Sequence, residues 1–349
     1  MTYGSYYHRR RSRTINLKFV AWLVASLVVL TVGVISVHGV QIWRNAGIFK
    51  RQAEQAEETS HFEEAARYYQ IYMHYMPNDG AARLARSRCL EKKTFKTTDD
   101  LHALHDLYAT MLNQEPDNRE IRRKLVDVAV LLRRFYYAQQ QIELLRAAGA
   151  NSAELEELYA LCCVSRGDNK EAVAAYQKSI ALEEHRVSSF VGQAKAYERL
   201  KEPEEADRVM KDLVKKNSKD YRAHLAYARH LSLREHPDEV AREIKTAYQL
   251  ADDQADTLLA MAELAQLDAE RAPRKEEKYG EARAYLRRAL AKYPDHASLY
   301  IALARLDVAG KKSDEAVDWL DRGLKVVRGQ GRDSLLHMLG LLRVQRGEK

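Results

Sequence analysis

Few residues in this chain are spaced as catalytic or metal-binding groups usually are. His102 and His105 lie three apart with Asp106 beside them, which brings two imidazoles to one side of a helix. Leu101, Leu104 and Leu107 interleave with them, as on an amphipathic helix, so both rings are expected to pack rather than to ligate. His224, His230 and His236 recur every six residues, a spacing that turns them to different sides of a helix. They are expected at the surface. Cys162 and Cys163 are adjacent and Cys89 is distant, so no CxxC spacing exists for zinc or dithiol chemistry. All three read as small buried apolar groups. Phosphate- and dinucleotide-binding glycine loops are absent, as are HExxH and GxSxG. The residues therefore suggest no catalytic group, no cofactor, no metal and no small-molecule substrate.

The composition is that of a helical protein. Only 6 Pro and 15 Gly occur in 349 residues, and 31% of the chain is charged. The formal charge of +7 is local. Residues 1–49 carry Arg9, Arg10, Arg11, Arg13, Lys18 and Arg44 and no acid; removing these six from 57 bases leaves 51 against 50 acids. A nearly neutral remainder does not suit a phosphate backbone, so no nucleic-acid partner is expected.

From Phe19 to Val40 run 22 residues without a charge. At ~1.5 Å per residue they span ~33 Å, enough to cross a hydrocarbon core. Trp22 and Trp43 stand near the ends, where indoles favour the interface. A cleavable signal peptide has a shorter apolar region followed by small residues, and no A-x-A-like triplet follows here. Residues 19–43 are thus expected to be an uncleaved signal anchor contacting the lipid bilayer. The five bases before the span outnumber Arg44, Lys50 and Arg51 after it. The basic N-terminus, residues 1–18, is then cytoplasmic and the remainder extracytoplasmic, on a plasma or inner membrane.

Beyond the span, one pattern recurs. Val126, Ala160, Ala194, Ala228 and Ala262 stand 34 residues apart, as do Ala138, Ala172, Ala206 and Val240, and again Ile142, Tyr176, Met210 and Ile244. Ala53, Ala65 and Tyr69 extend the register upstream, and Ser87, Leu104 and Tyr108 follow after an insertion near Glu91–Asp100. Downstream, a second insertion around Pro273 precedes Ala282 and Leu286, then Ala304, Ala316 and Leu320, and Leu339 opens a further unit. Pro77, Pro116 and Pro294 close second helices, Pro203 and Pro237 open them, and Gly167, Gly310 and Gly347 fall in turns.

This period, with its paired small residues and closing Pro, resembles the tetratricopeptide repeat, most clearly in residues 158–182 and 281–295. The resemblance covers residues 46–349 and implies an all-α fold: an α-solenoid of about eight and a half helical hairpins, preceded by one transmembrane helix. The large aromatic usual near the start of each repeat is kept only as Phe49, Phe190 or Tyr300; Arg83, Arg122, Glu156 and His224 stand there elsewhere. The resemblance also implies a function in holding other proteins or peptide segments, on a concave face lined by the fifth and ninth positions of first helices. Here those are Val191, Leu225, Leu259 and Ile301, with Lys195, Arg229, Glu263 and Arg305. The Lys–Asn pair with which some relatives clamp a carboxylate is not reproduced, since Glu54 follows Lys50 and Asp127 follows Arg123. A membrane-anchored scaffold in envelope or export assembly is the expectation; the alternative is an accessory region of a larger enzyme, such as a glycosyltransferase, whose catalytic domain lies beyond Lys349.

Overall fold

The structure is a computed structural model that describes residues 17–94, 96–271 and 275–345. Arg9, Arg10, Arg11, Arg13, Pro273 and Gly347, on which sequence expectations rest, lie outside the described residues. Among the described residues there are seventeen helices and no strand. The chain divides into two compact units, Met1–Lys93 and Thr94–Lys349.

The first unit holds α1 (Leu17–Glu58), α2 (Phe62–Tyr75) and α3 (Gly80–Lys92). α1 is one helix of 42 residues without a break. Its N-terminal half exposes its apolar side chains, and among the described residues it is the one helix long and apolar enough to cross a membrane. Its C-terminal half behaves differently, burying Ala46, Ala53 and Ala56 as it packs on α2. The boundary expected between residues 43 and 46 is thus a change of surroundings inside one helix.

The second unit comprises α4 (Thr98–Gln114), α5 (Arg119–Leu131), α6 (Phe135–Ala147), α7 (Ala153–Arg166), α8 (Asn169–Leu182), α9 (Val187–Leu200) and α10 (Pro203–Lys216). It continues through α11 (Tyr221–Ser232), α12 (Pro237–Leu250), α13 (Ala255–Arg271), α14 (Lys275–Lys292), α15 (Ala297–Ala309), α16 (Ser313–Val326) and α17 (Gln330–Gln345). The residues of the 34-residue register are buried throughout, from Val126 to Ile244. A small side chain at each crossing lets the partner helix approach, and the larger residue four positions on fills the space beside it. The insertion near Pro273 goes into longer helices, 17 and 18 residues in α13 and α14.

Local chemistry sets the ends of the hairpins. Four first helices, α3, α5, α7 and α11, begin at caps whose side chains accept a backbone N–H, Asp79, Asn118, Ser152 and Asp220, and the second helix α4 begins with a capping box of Thr97 and Asp100. Within hairpins, Ser60, Arg133, Gly167, Lys201, Glu235 and Lys311 adopt left-handed backbone, with φ between 58° and 88°. The next residue donates its N–H to the carbonyl five residues back, as His61 does to Ala56 and Arg134 to Ala129, both at 2.8 Å. Gly310 falls in a turn, as expected, and its neighbour Lys311 is the residue that takes the left-handed position there.

A second recurring bond explains the missing aromatics. The donor at that position reaches the carbonyl six residues back, where the preceding second helix has ended. Arg83 donates to the Pro77 carbonyl at 3.1 Å, Tyr300 to that of Pro294 at 2.7 Å, and Arg122 to that of Pro116. These carbonyls would otherwise lose their partners at a helix end. Chemistry at the tip matters more than ring or chain.

Candidate functional site

Within the second unit, first helices of successive hairpins pack on one another, α7 on α9, α9 on α11, α11 on α13 and α13 on α15. Each second helix fits between two of them, as α10 does between α9 and α11. First helices therefore follow one another in a row, and the strip of outward positions along it is where the sequence expectation falls.

The strip carries the eight residues expected from the sequence. Leu225 is buried, while Val191, Leu259 and Ile301 are half-buried, forming an apolar floor. Lys195, Arg229, Glu263 and Arg305 stand exposed one turn further along. Glu263 is reached by solvent yet walled by neighbouring helices. Burial pushes its carboxyl above the usual range, although Arg229 and Arg305 on the flanking helices pull it down. No hydrogen bond or ion pair ties these four charged side chains to the chain among the described residues.

The same strip is occupied differently upstream. Arg123 on α5 pairs with Asp127 and, at 2.9 Å, with Glu154. Glu157 on α7 is held by Arg186 and lies 3.4 Å from the Ser189 hydroxyl. Burial raises the Asp127 carboxyl despite the opposing pull of Arg123. At these positions the charges on α5 and α7 are paired within the chain, whereas Lys195, Arg229, Glu263 and Arg305 have no such pairing among the described residues.

The histidines expected at the surface are not all there. His224 is 6% exposed and His230 8%. His224 occupies the aromatic position on α11, with Nε2 3.0 Å from the Ser218 carbonyl and Nδ1 2.6 Å from Glu243. Its six-residue reach is that of Arg83 and Tyr300, so the ring is drawn inward by a carbonyl needing a donor. His230 Nε2 lies 2.6 Å from Asp207, which also accepts from Arg234 Nε at 3.1 Å. Only His236 of the three is exposed. The signal was present in the register: His224 stands where an aromatic belongs.

His105 packs against Tyr137, ring centroids 5.3 Å apart, as its leucine neighbours implied. Arg134 points its guanidinium at the His105 ring at 3.0 Å and at His102 Nδ1 at 3.3 Å. A cation would meet like charge there. Cys89, Cys162 and Cys163 are free and buried. Burial pushes their thiols up to about 11, 12 and 11 respectively, far from the thiolate that metal binding or nucleophilic attack requires.

Residues 274–339 match a family model described as tetratricopeptide repeat. No curated protein matches the chain. Among solved structures, it is similar to a tetratricopeptide repeat protein from Parabacteroides merdae, 14% identical, covering 75% of this chain and 98% of that one with a TM-score of 0.51. It also matches the C-terminal part of a TPR repeat-containing protein from Cytophaga hutchinsonii, 13% identical over 68% of this chain and 94% of that one, TM-score 0.44. A third match is the APC/C hetero-tetramer Cut9–Hcn1, 12% identical over 86% and 70%, TM-score 0.45. The first likeness concerns fold. Residues 274–339 thus match the tetratricopeptide repeat model, and the all-α array of hairpins has the fold of tetratricopeptide repeat proteins.

Proposed function

We propose that this chain is a membrane-anchored scaffold that holds a protein segment along the strip of α9, α11, α13 and α15. One observation carries the reading: apolar Val191, Leu225, Leu259 and Ile301 each precede by one turn a charged side chain that makes no hydrogen bond or ion pair among the described residues. Three of those four charges are basic. An extended or helical peptide with apolar anchors and acidic groups fits such a surface.

Phe19–Val40 serves as the anchor, with the N-terminus cytoplasmic and the repeats extracytoplasmic, because positive charge is concentrated before the span. Assembly of envelope or export complexes is the setting that such a scaffold at a membrane surface suits.

A photo-crosslinking residue introduced at Val191 or Leu259 in the anchored protein tests the strip. It should capture a protein partner, and Arg229→Glu with Arg305→Glu should abolish the adduct. A residue at Arg208, exposed on α10, should capture none. Equal adducts at Arg208 and the strip, unaffected by the charge reversals, would defeat the reading. Protease added to sealed cells stripped of outer layers should digest the repeats; full protection would reverse the orientation.

A further inference from the structure

The first unit is polarised along the axis of α1. From Val40 to Arg51 the helix carries Arg44, Lys50 and Arg51 and no acid; Glu54, Glu57 and Glu58 come only at its far end. α2 runs antiparallel to it, since Tyr75 stacks on Phe49 with centroids 6.0 Å apart while Tyr69 near its middle bonds Glu57 at 2.9 Å. The start of α2, with Glu63 and Glu64, therefore lies at the acidic end. Its finish, Tyr72 to Pro77, returns to the basic end and contains no acid.

The one acid of the turn that follows, Asp79, is already compensated. Tyr72 donates to it at 2.6 Å and Lys50 lies 3.4 Å away. The Tyr72 bond leads in holding its carboxyl below the ordinary range. What the basic end offers outward is Trp43, 72% exposed, with Arg44, Ile48 and His74 exposed beside half-buried Tyr75 and Met76.

Distance places this end. The apolar run stops at Val40 and the first buried residue, Ala46, comes six positions later. Continuous helix makes that ~9 Å, so Trp43 and Arg44 fall within a headgroup layer of ~5–7 Å per side and the packed hairpin begins at its outer edge. The turn between α2 and α3 points back along α1 toward that layer. Aromatic and basic side chains are what the interface favours, the rings for its mixed polarity and the bases for phosphate.

We infer that the end of the first hairpin formed by Tyr75, Met76 and Pro77, with Trp43 and Arg44, rests on the phospholipid headgroup layer. The anchor thereby fixes the tilt of the first hairpin as well as its position. The inference rests on Phe19–Val40 being a membrane span, and its test separates the two.

Single cysteines replacing Ile35, Met76 and Glu58 in the full chain are nitroxide-labelled in vesicles of phosphatidylcholine and phosphatidylglycerol; the native cysteines are buried, and the unsubstituted chain gives the labelling background. Collision with oxygen relative to a water-soluble nickel chelate reads depth. The ratio should be highest at Ile35, intermediate at Met76 and at the aqueous value at Glu58, with Met76 several-fold above Glu58. A label at Met76 as aqueous as that at Glu58, with Ile35 in lipid, overturns the seating and leaves the anchor. An aqueous Ile35 overturns both.

Discussion

At the residue scale, much of what holds the hairpins together is a donor placed where a helix has just ended. Arg83 and Arg122, His224 and Tyr300 are three different side-chain shapes, yet each approaches the carbonyl six residues before it. Thr257, one position earlier in its own repeat, does the same to Ala251 at 2.5 Å. Glu156 has no hydrogen to give, and takes a paired contact from Arg146 instead, with Arg146 Nε at 2.9 Å. The buried position was legible from the period, but the identity of its partner was not, because a backbone carbonyl leaves no mark in the sequence. That is why His224 read as a surface residue. The network around Asp207 makes a pH prediction. Burial works to raise this carboxyl, but bonds from His230 and Arg234 outweigh it and hold the group below its ordinary value. A depressed folded value contributes stability that is present above the unfolded value of ~3.9 and lost as pH falls through the folded one. Thermal midpoints measured from pH 6 downward should fall below about pH 4. Asp207→Asn should flatten part of that fall, and an unchanged profile would remove Asp207 from the account.

At the element scale, among the described residues six hairpins turn through a left-handed residue, and it is glycine only once. Arg133, Gly167, Lys201 and Glu235 follow one another at the repeat spacing of 34. A side chain in that conformation costs ~1–2 kcal/mol, and the extra freedom glycine loses on folding offsets ~0.5–1 kcal/mol of the gain from removing it. Lys201→Gly should accordingly raise the unfolding free energy by about 0.5–1 kcal/mol, read from denaturant titration. Lys201→Ala, which keeps a Cβ there, should not. The helices themselves were legible: the small residues Ala138, Ala172 and Ala206 announce crossings, and Pro203 and Pro237 announce second-helix starts. Turn conformation was less so, since glycine is sufficient for a left-handed turn without being necessary. Gly310 drew the expectation, and its neighbour Lys311 adopted the conformation.

At the scale of the whole molecule, each hairpin of the second unit meets only its neighbours, so stability adds up from units and the contacts between them. α7 to α12 have packed helices on both sides, whereas α17 packs on α15 and α16 and leaves Leu336, Leu341 and Val344 exposed. Amide hydrogen exchange followed by mass spectrometry should therefore be slowest in α7–α12 and fastest in α17. Uniform protection along the unit would contradict a nearest-neighbour array. The strip on α9 to α15 is an expectation from the register, because periodicity fixes which positions share a face. What could not be read was that Arg123 and Glu157 spend their charge on Glu154 and Arg186, since those partners come from the next hairpin. The unbroken run of α1 from Leu17 to Glu58 has one more implication, for the spacing between Val40 and Ala46. Those few residues work as a dial: inserting one would swing the first hairpin ~100° about the anchor and lift it ~1.5 Å. Four would bring nearly the same side round again, ~6 Å higher. Azimuth and height are set together, by counting.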